Sequence, residues 1–297
     1  MDRLHQMMVF TAVADEQSFA GGARRMRMSA PAVTRAVAAL EASLKVRLLT
    51  RTTRYVRVTP AGKRYLDDAR RIIADVVAAD ESVRGHNAKP TGQLTVTAPV
   101  IFGRLHVMPA ITKYLASYPD TSIVALFDDR VIGMLEEGID VGVRIGELPD
   151  STHHAVRVGS VRRVLCATPR YLKANGTPQT PADLANSFII AAATVSTNTE
   201  WSFASGRATS AIRVKPRLTV SNNDAAIVAC LSGIGITRLL SYQITDLIRS
   251  GQLRIVLEEF ETKAIPVHVV YREGRQASAT TRAFVDIVVE SIKSALS

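Results

Sequence analysis

The side chains best equipped to act on another molecule are arginines, and they are unevenly placed. Twelve of the 37 lysines and arginines fall in residues 1–65, against four acidic residues, so +8 of the net +10 sits there. Residues 66–297 carry 25 basic and 23 acidic side chains and are nearly neutral. A compact basic module on a neutral body is the electrostatic footprint of a polyanion partner, either nucleic acid or an anionic membrane. Within the module, Ser29, Ala30, Pro31, Ala32, Thr34 and Arg35 follow one another closely, and Arg51, Arg54 and Arg57 come shortly after. Arginine can grip a base edge or a phosphate with two parallel hydrogen bonds, and serine and threonine suit phosphates. Small residues such as Ala30 and Ala32 let a backbone approach a groove closely.

Other chemistry is poorly represented. Gly85 to Gly92 and Gly233-Ile234-Gly235 do not form a phosphate loop, and no dinucleotide fingerprint follows a strand. His153 and His154 are adjacent, which is not the spacing of a helical metal pair. They read as exposed loop residues. Cys166 and Cys230 each lie in an apolar run and read as buried, inert thiols, and Trp201 reads as packing. Hence no catalytic residue, metal or cofactor is expected. Two lone cysteines exclude a disulfide framework and point to a reducing compartment. No apolar run approaches the roughly 18 residues of a membrane span. The N-terminus lacks the basic-then-apolar order of a signal peptide. The expectation is a cytoplasmic protein with no membrane partner.

These side chains need scaffolding. Leu4, Met7, Phe10 and Ala14 have helical spacing. Ser18 stands as N-cap before a short second helix with Phe19, Ala23 and Met26 inward. Ser29 caps a third helix, with Pro31 in its first turn and Val33, Val37, Leu40 and Leu44 as its buried face. The second and third helices are joined by about three residues, Arg27-Met28-Ser29. That is a helix-turn-helix, whose third helix here would enter the DNA major groove. Residues 46–58 then read as a basic hairpin, able to grip the backbone or a narrow minor groove. Ser18, Ser29, Ala30, Pro31, Ala32, Thr34, Arg35, Arg51 and Arg54 are the expected DNA-facing set.

From Pro60 to Arg84 the chain reads as one long helix. Leu66, Ala69, Ile73, Val76 and Val83 follow a coiled-coil-like spacing, interrupted by Asp80. The spacing favours a dimerising helix, with an amphipathic helix packed on its own domain as the alternative. Residues 85–92 read as a linker. Beyond them, strands and helices alternate, as in an open α/β sheet. Leu94, Val96 and Ala98 mark a strand; Met108, Ile111 and Leu115 mark one helix face. Ile123 to Phe127 reads as a buried strand, Val131 to Glu137 as a short helix, and Ile139, Val141 and Val143 as another strand. Asn223 to Ser232, Pro266 to Tyr271 and Thr280 to Leu296 read as helix, strand and helix.

The run Phe10-x-x-Val13-Ala14, Ser18-Phe19, Ala23-Arg24-Arg25-Met26, Ser29-Ala30-Pro31-Ala32-Val33-Thr34-Arg35, Leu40-Glu41, Leu44, Arg47-Leu48-Leu49-x-Arg51 and Thr59-Pro60-Ala61-Gly62 closely resembles the winged helix-turn-helix of LysR-type transcriptional regulators. Gly22, Lys45 and Leu49 depart from the usual Ala, Gly and Phe. The resemblance continues through Gly92 to Pro99, Phe102-Gly103-Arg104, Tyr118-Pro119-Asp120, Glu136 to Leu148 and Leu231 to Ile236, with Leu239-Leu240 in place of the usual Leu-Pro. It implies an α+β multidomain chain. Its parts would be a winged head (1–59), a dimerising linker helix (60–88) and a two-lobed α/β effector domain (89–297), similar to periplasmic binding proteins. Lobe one would be 92–163 plus 267–297, and lobe two 164–266.

In open α/β lobes, ligands bind where strands end and the chain switches over. The candidate effector residues are Ala98, Pro99, Val100 and Phe102, then Arg144, Ile145 and Gly146, then Asn222 and Asn223. Free backbone N–H groups after Ala98 could hold a carboxylate, and Arg144 adds a fixed positive charge. The expected effector is a small anion. Arg144 has an alternative role in pairing with Asp128, Asp140 or Glu147. The whole reading is a sequence-specific, homodimeric or homotetrameric DNA-binding regulator that reads a partly palindromic duplex. An enzyme and a solute-binding protein are the alternatives. The absent catalytic constellation argues against the first, and the basic head against the second.

Overall fold

A computed structural model describes residues 2–51, 56–84, 89–130, 138–148, 154–192, 200–206, 208–271 and 277–296. The chain divides into two compact units, residues 1–88 and 89–297.

The first unit holds α1 (Arg3–Asp15), α2 (Phe19–Arg25), α3 (Ala30–Leu44), a hairpin of β1 (Leu49–Arg51) and β2 (Val56–Val58), and α4 (Pro60–Arg84). Phe10 and Val13 of α1 meet Val33, Val37 and Leu40 of α3, with Leu48 and Leu66 closing the core. Ser18 and Ser29 cap α2 and α3, their hydroxyls accepting from the N–H groups of Gly21 (3.2 Å) and Ala32 (3.4 Å). Gly22 is required by packing, because a Cβ there would lie 2.6 Å from Val13 Cγ2. Its bare backbone lets α2 close on α1. The first part of α4 packs on its own head through Leu66 and Ala69, whereas Ile72 and Val76 stay exposed.

The three helices stop in the same way. Gln17, Arg27 and Lys45 have positive φ of 46°, 51° and 54°. Each reversal returns the chain's next N–H groups to the last carbonyls, as in Met28 N–H to Ala23 O (2.9 Å) and Val46 N–H to Glu41 O (3.3 Å). A left-handed turn at a residue with a Cβ costs on the order of 1–2 kcal/mol.

The second unit contains two five-stranded sheets. The first has the order β4-β3-β5-β14-β6, from β3 (Gly92–Ala98), β4 (Thr121–Phe127), β5 (Val141–Ile145), β6 (His154–Val161) and β14 (Ile265–Tyr271). Between β3 and β4 a helical run comprises α5 (Val100–Phe102), a π-helical turn (Gly103–Val107) and α6 (Met108–Ser117). It packs with the C-terminal α10 (Ala279–Leu296), the rings of Tyr114 and Phe284 meeting edge-on at 5.3 Å. The second sheet has the order β11-β8-β12-β7-β13. Its elements in chain order are β7 (Arg163–Ala167), α7 (Pro169–Asn175), β8 (Ile189–Ala192), β11 (Pro216–Val220), α8 (Asn223–Leu231), β12 (Ile236–Leu240), α9 (Thr245–Arg249) and β13 (Arg254–Val256). A hairpin of β9 (Glu200–Ser205) and β10 (Ala208–Arg213) is inserted after β8. The two sheets define two lobes. At the passage from β6 to β7, Arg162 N–H donates to Ser241 Oγ (3.1 Å) and the Ser241 N–H to Arg162 O (2.8 Å). The Arg162 guanidinium pairs with Glu258 (2.8 Å) and Glu261 (3.2 Å), which lie beyond β13.

Two sequence expectations need correction. Residues 123–127 are not a strand buried on both faces: β4 is the edge of its sheet and alternates, with Val124 37% and Leu126 39% exposed. The inward face of α6 is Ala110, Ile111 and Tyr114, while Met108 and Leu115 are exposed. The larger Tyr114 ring takes the core position, so the helix is rotated away from the aliphatic spacing. Gly92 already belongs to β3, and residues 85–88 of the expected linker lie outside the described residues. So does the helix expected at 131–137.

Lys45→Gly should stabilise the protein by about 0.5–1 kcal/mol, because glycine adopts positive φ without a Cβ penalty. Urea unfolding checks this, and an unchanged or lower midpoint would contradict it.

Candidate nucleic-acid interface and effector cleft

The face of α3 opposite its core contacts carries the expected DNA-facing residues. Ser29, Ala30, Pro31 and Arg35 are exposed, and Ala32 and Thr34 are half-buried. Among the described residues, Arg35 has no ion-pair or hydrogen-bond partner. Ser18 is half-buried and committed to its cap. Arg51 ends β1, but its side chain, and Arg54 altogether, lie outside the described residues. Arg57 is exposed on β2. Arg25 is turned away into an ion pair with Asp15 at 2.9 Å, and Asp15 also holds Arg70.

One residue missing from the expected set positions the hairpin. Glu41 Oε1 accepts from the N–H groups of Leu48 (2.8 Å) and Leu49 (2.9 Å). A carboxylate on α3 thus fixes where β1 begins. Thr59 reinforces the other end: its hydroxyl donates to Arg47 O (2.8 Å) and accepts from the Gly62 N–H (2.9 Å), capping α4. A lone acid in a basic stretch was the available signal for Glu41.

In the second unit, β3 lies between β4 and β5, with Ala98 beside Phe127 and Thr97 beside Gly142. This brings Ala98, Pro99 and Val100 to the same sheet end as Arg144, Ile145 and Gly146. Gly146 turns there with φ of 137°. Arg144 is half-buried, and burial pushes its guanidinium below the usual arginine range. The Val100 N–H, expected to be free, is occupied: it donates to Asp129 Oδ1 at 3.0 Å. The neighbouring Asp128 is held by Arg130, which keeps its carboxyl below the usual range. Phe102 is fully buried rather than lining an open surface. Its ring lies 4.7 Å from His106 and 5.0 Å from Tyr242, which follows β12 in the other lobe. Burial lowers the His106 pKa, favouring neutral imidazole. Arg104 reaches Asp224 of α8 at 3.9 Å. Asn222 is exposed and caps α8, its Oδ1 accepting from the Ala225 N–H at 2.8 Å, and Asn223 is half-buried beside it.

Comparison with known proteins agrees with both halves of this geometry. Residues 4–63 match the bacterial regulatory helix-turn-helix protein, lysR family, and residues 87–293 match the LysR substrate binding domain. The chain belongs to the LysR-type family of transcriptional regulators. An HTH-type transcriptional repressor of Pseudomonas aeruginosa is 31% identical over 98% of this chain and 92% of its own length. The regulator CrgA of Neisseria meningitidis is 30% identical over 97% of this chain and 96% of its own. The solved CrgA structure aligns with a TM-score of 0.62 at 28% identity, covering 98% of this chain and 99% of that one. The full-length Vibrio cholerae activator AphB shares the fold, with a TM-score of 0.61 at 23% identity, over 97% of this chain and 99% of that one. The protein is therefore a transcriptional regulator with a DNA-binding helix-turn-helix and an effector-binding domain, not an enzyme.

The remaining chemical candidates have structural places. Cys166 and Cys230 are fully buried, and Cys230 Sγ lies 3.5 Å from Cys166 O. His154 opens β6 and stacks on Tyr271 at 5.9 Å, whereas His153 lies outside the described residues. Among the described residues, no group of three or more His, Cys, Asp or Glu could hold a metal. No described helix is long and apolar enough to cross a membrane.

Glu41→Ala leaves two partly buried N–H groups unsatisfied, so it should cost about 1–3 kcal/mol. It should also weaken DNA binding without removing a DNA contact. Urea unfolding and gel shift measure the two effects; an unchanged midpoint would show that the hairpin does not depend on Glu41.

Proposed function

We propose that the protein is a cytoplasmic homo-oligomer that reads a partly palindromic operator through two copies of α3 and responds to a small anionic effector held between its lobes. The observation that carries the DNA reading is the exposed Arg35, without a partner among the described residues, beside small residues on the outer face of α3. A helix with Ala30 and Ala32 at its entering end can sit deep in the major groove, and Arg35 then reaches base edges. Ser29 and Thr34 face phosphates, and Arg51 and Arg54 are assigned to the flanking hairpin.

Self-association is supported by apolar surface. Ile72 and Val76 are exposed on α4, past the point where Leu66 and Ala69 enter the head's core. The second unit adds Leu115, Val124 and Leu126 on lobe one and Val228, 69% exposed, on lobe two. Ile72 and Val76 on α4, and Val124 and Leu126 on β4, each lie at same-face spacing, and exposed apolar faces of this kind suit association. A dimer also places two recognition helices for two half-sites.

The anionic character of the effector rests on Arg144, whose charge is partly desolvated at the end of β5. A carboxylate there relieves that penalty. Binding shifts the balance between two arrangements only through different affinity for each.

Arg35→Ala should weaken specific binding by about 1–3 kcal/mol in gel shift and relax discrimination at one base position. An equal loss on every sequence would place Arg35 on phosphate instead. Arg144→Ala should abolish the effector response of a reporter while leaving operator binding intact; an unchanged response would make Arg144 structural.

A further inference from the structure

The second lobe's sheet carries two arginines that no described residue compensates. Strand β12 runs antiparallel to β7, with Arg238 opposite Leu165 and Leu240 opposite Arg163. Arg163 and Arg238 are therefore diagonal neighbours on one face of adjacent strands, a spacing that long side chains bridge. That face is the one on which Leu165 and Ile236 pack with Trp201 and Phe203 of the β9 strand. Helix α8, whose start carries Asn222 and Asn223, packs on the opposite face with Val164, Cys166 and Leu239. The Arg238 guanidinium carbon lies 4.6 Å from the centre of the Trp201 ring, and Trp201 is only 4% exposed. The indole face backs Arg238, and Arg163, exposed at the sheet end, flanks it.

Among the described residues, neither guanidinium has an ion pair or a side-chain hydrogen bond. Their neighbour shows the contrast: Arg162, one residue before Arg163, is satisfied by Glu258 and Glu261. Burial, with the charge of Arg163 adding to it, brings the Arg238 guanidinium down to about 10. Two like charges in a partly dry setting repel one another, and cation–π contact with Trp201 offsets only part of that. A ligand with two or more anionic oxygens removes both penalties at once, because each guanidinium presents a fork of donors.

We propose that Arg163 and Arg238, backed by Trp201, form an anion site on the second lobe that takes a small carboxylate or phosphate from solution. The site lies within one lobe and does not depend on an effector between the lobes. Arg163 supplies the open side through which the anion arrives. Arg238 supplies the desolvated side, where its charge is worth most.

Trp201 is the single tryptophan of the chain, so its emission reports on this site directly. The full-length protein is titrated with sodium phosphate and, separately, with sodium succinate, using sodium chloride at matched ionic strength as the control. A saturable change in emission with either anion and none with chloride is expected. The responding anion tells phosphate from carboxylate. Arg163→Gln should weaken that binding by about tenfold or more, since it removes one of two charged forks. In chloride alone, Arg163→Gln should raise the melting temperature, because it relieves the repulsion on Arg238. Arg163→Glu should raise it further and abolish anion binding by supplying an internal counter-charge. No saturable response to either anion, equal affinity in Arg163→Gln, or a lower melting temperature of Arg163→Gln in chloride would each overturn the proposal.

Discussion

The burial of one face of α3 dictates what its other face can be. Val33, Ala36, Val37 and Leu40 are sealed against α1 and the hairpin base, so the helix has no rotational freedom left. Ser29, Ala30, Pro31 and Arg35 are held in water as a consequence, at fixed orientation. Each neighbouring device serves that constraint. Ser29 pins where the helix begins, Lys45 ends it by a left-handed turn, and Glu41 carries the chain from its far end into β1. Gly22 allows α2 to close on α1, so the short turn at Arg27 can deliver α3 at its angle. A recognition surface of modest residues is thus made specific by the packing behind it.

Much of this head was legible from residue types. Ser18 and Ser29 declared themselves as caps because a short side-chain oxygen before an apolar-periodic run has a local role. The full extent of α4 was legible for the same reason, since Thr59-Pro60 marks its start. What remained hidden depended on distant neighbours. The run Ile123 to Phe127 looked buried because it is continuously apolar, yet β4 is an edge strand with a single neighbour, β3. Exposure at a sheet edge is decided by strand order, which no local pattern carries. Similarly, the aliphatic spacing of α6 pointed to Met108 and Leu115, but the Tyr114 ring fills the core between β3 and α10. What Glu41 and Asp129 organise was also hidden, because each acts on backbone N–H groups of a separate element; for Glu41 the only hint was a lone acid in a basic stretch.

Charge shows the same divide between inventory and arrangement. The total of +10 and its concentration in the head can be counted, but pairing cannot. Arg25 is spent on Asp15, whereas Arg35 is free of partners among the described residues. Arg162 and Arg163 are adjacent in the chain and opposite in circumstance, one neutralised and one facing a second arginine. Arg162 lies in the link between β6 and β7 and turns to Glu258 and Glu261, whereas Arg163 already belongs to β7 and shares a sheet face with Arg238. A nearly neutral body thus still places two like charges side by side.

The contact between Asp129 and the Val100 N–H has a quantitative consequence. A tethered carboxylate occupies that donor at an effective concentration set by its own loop, of millimolar order for short connections. It does not dilute when the cell dilutes. A free carboxylate arriving at Val100 competes with this built-in rival, so its apparent affinity is reduced by the fraction of time Asp129 is bound. For an effector bound as proposed, the turn at Asp128 and Asp129 would then act as a threshold setter. It sets how much ligand the surroundings must hold before the cleft changes occupant, and substitutions in that loop would tune sensitivity without altering which ligand is recognised.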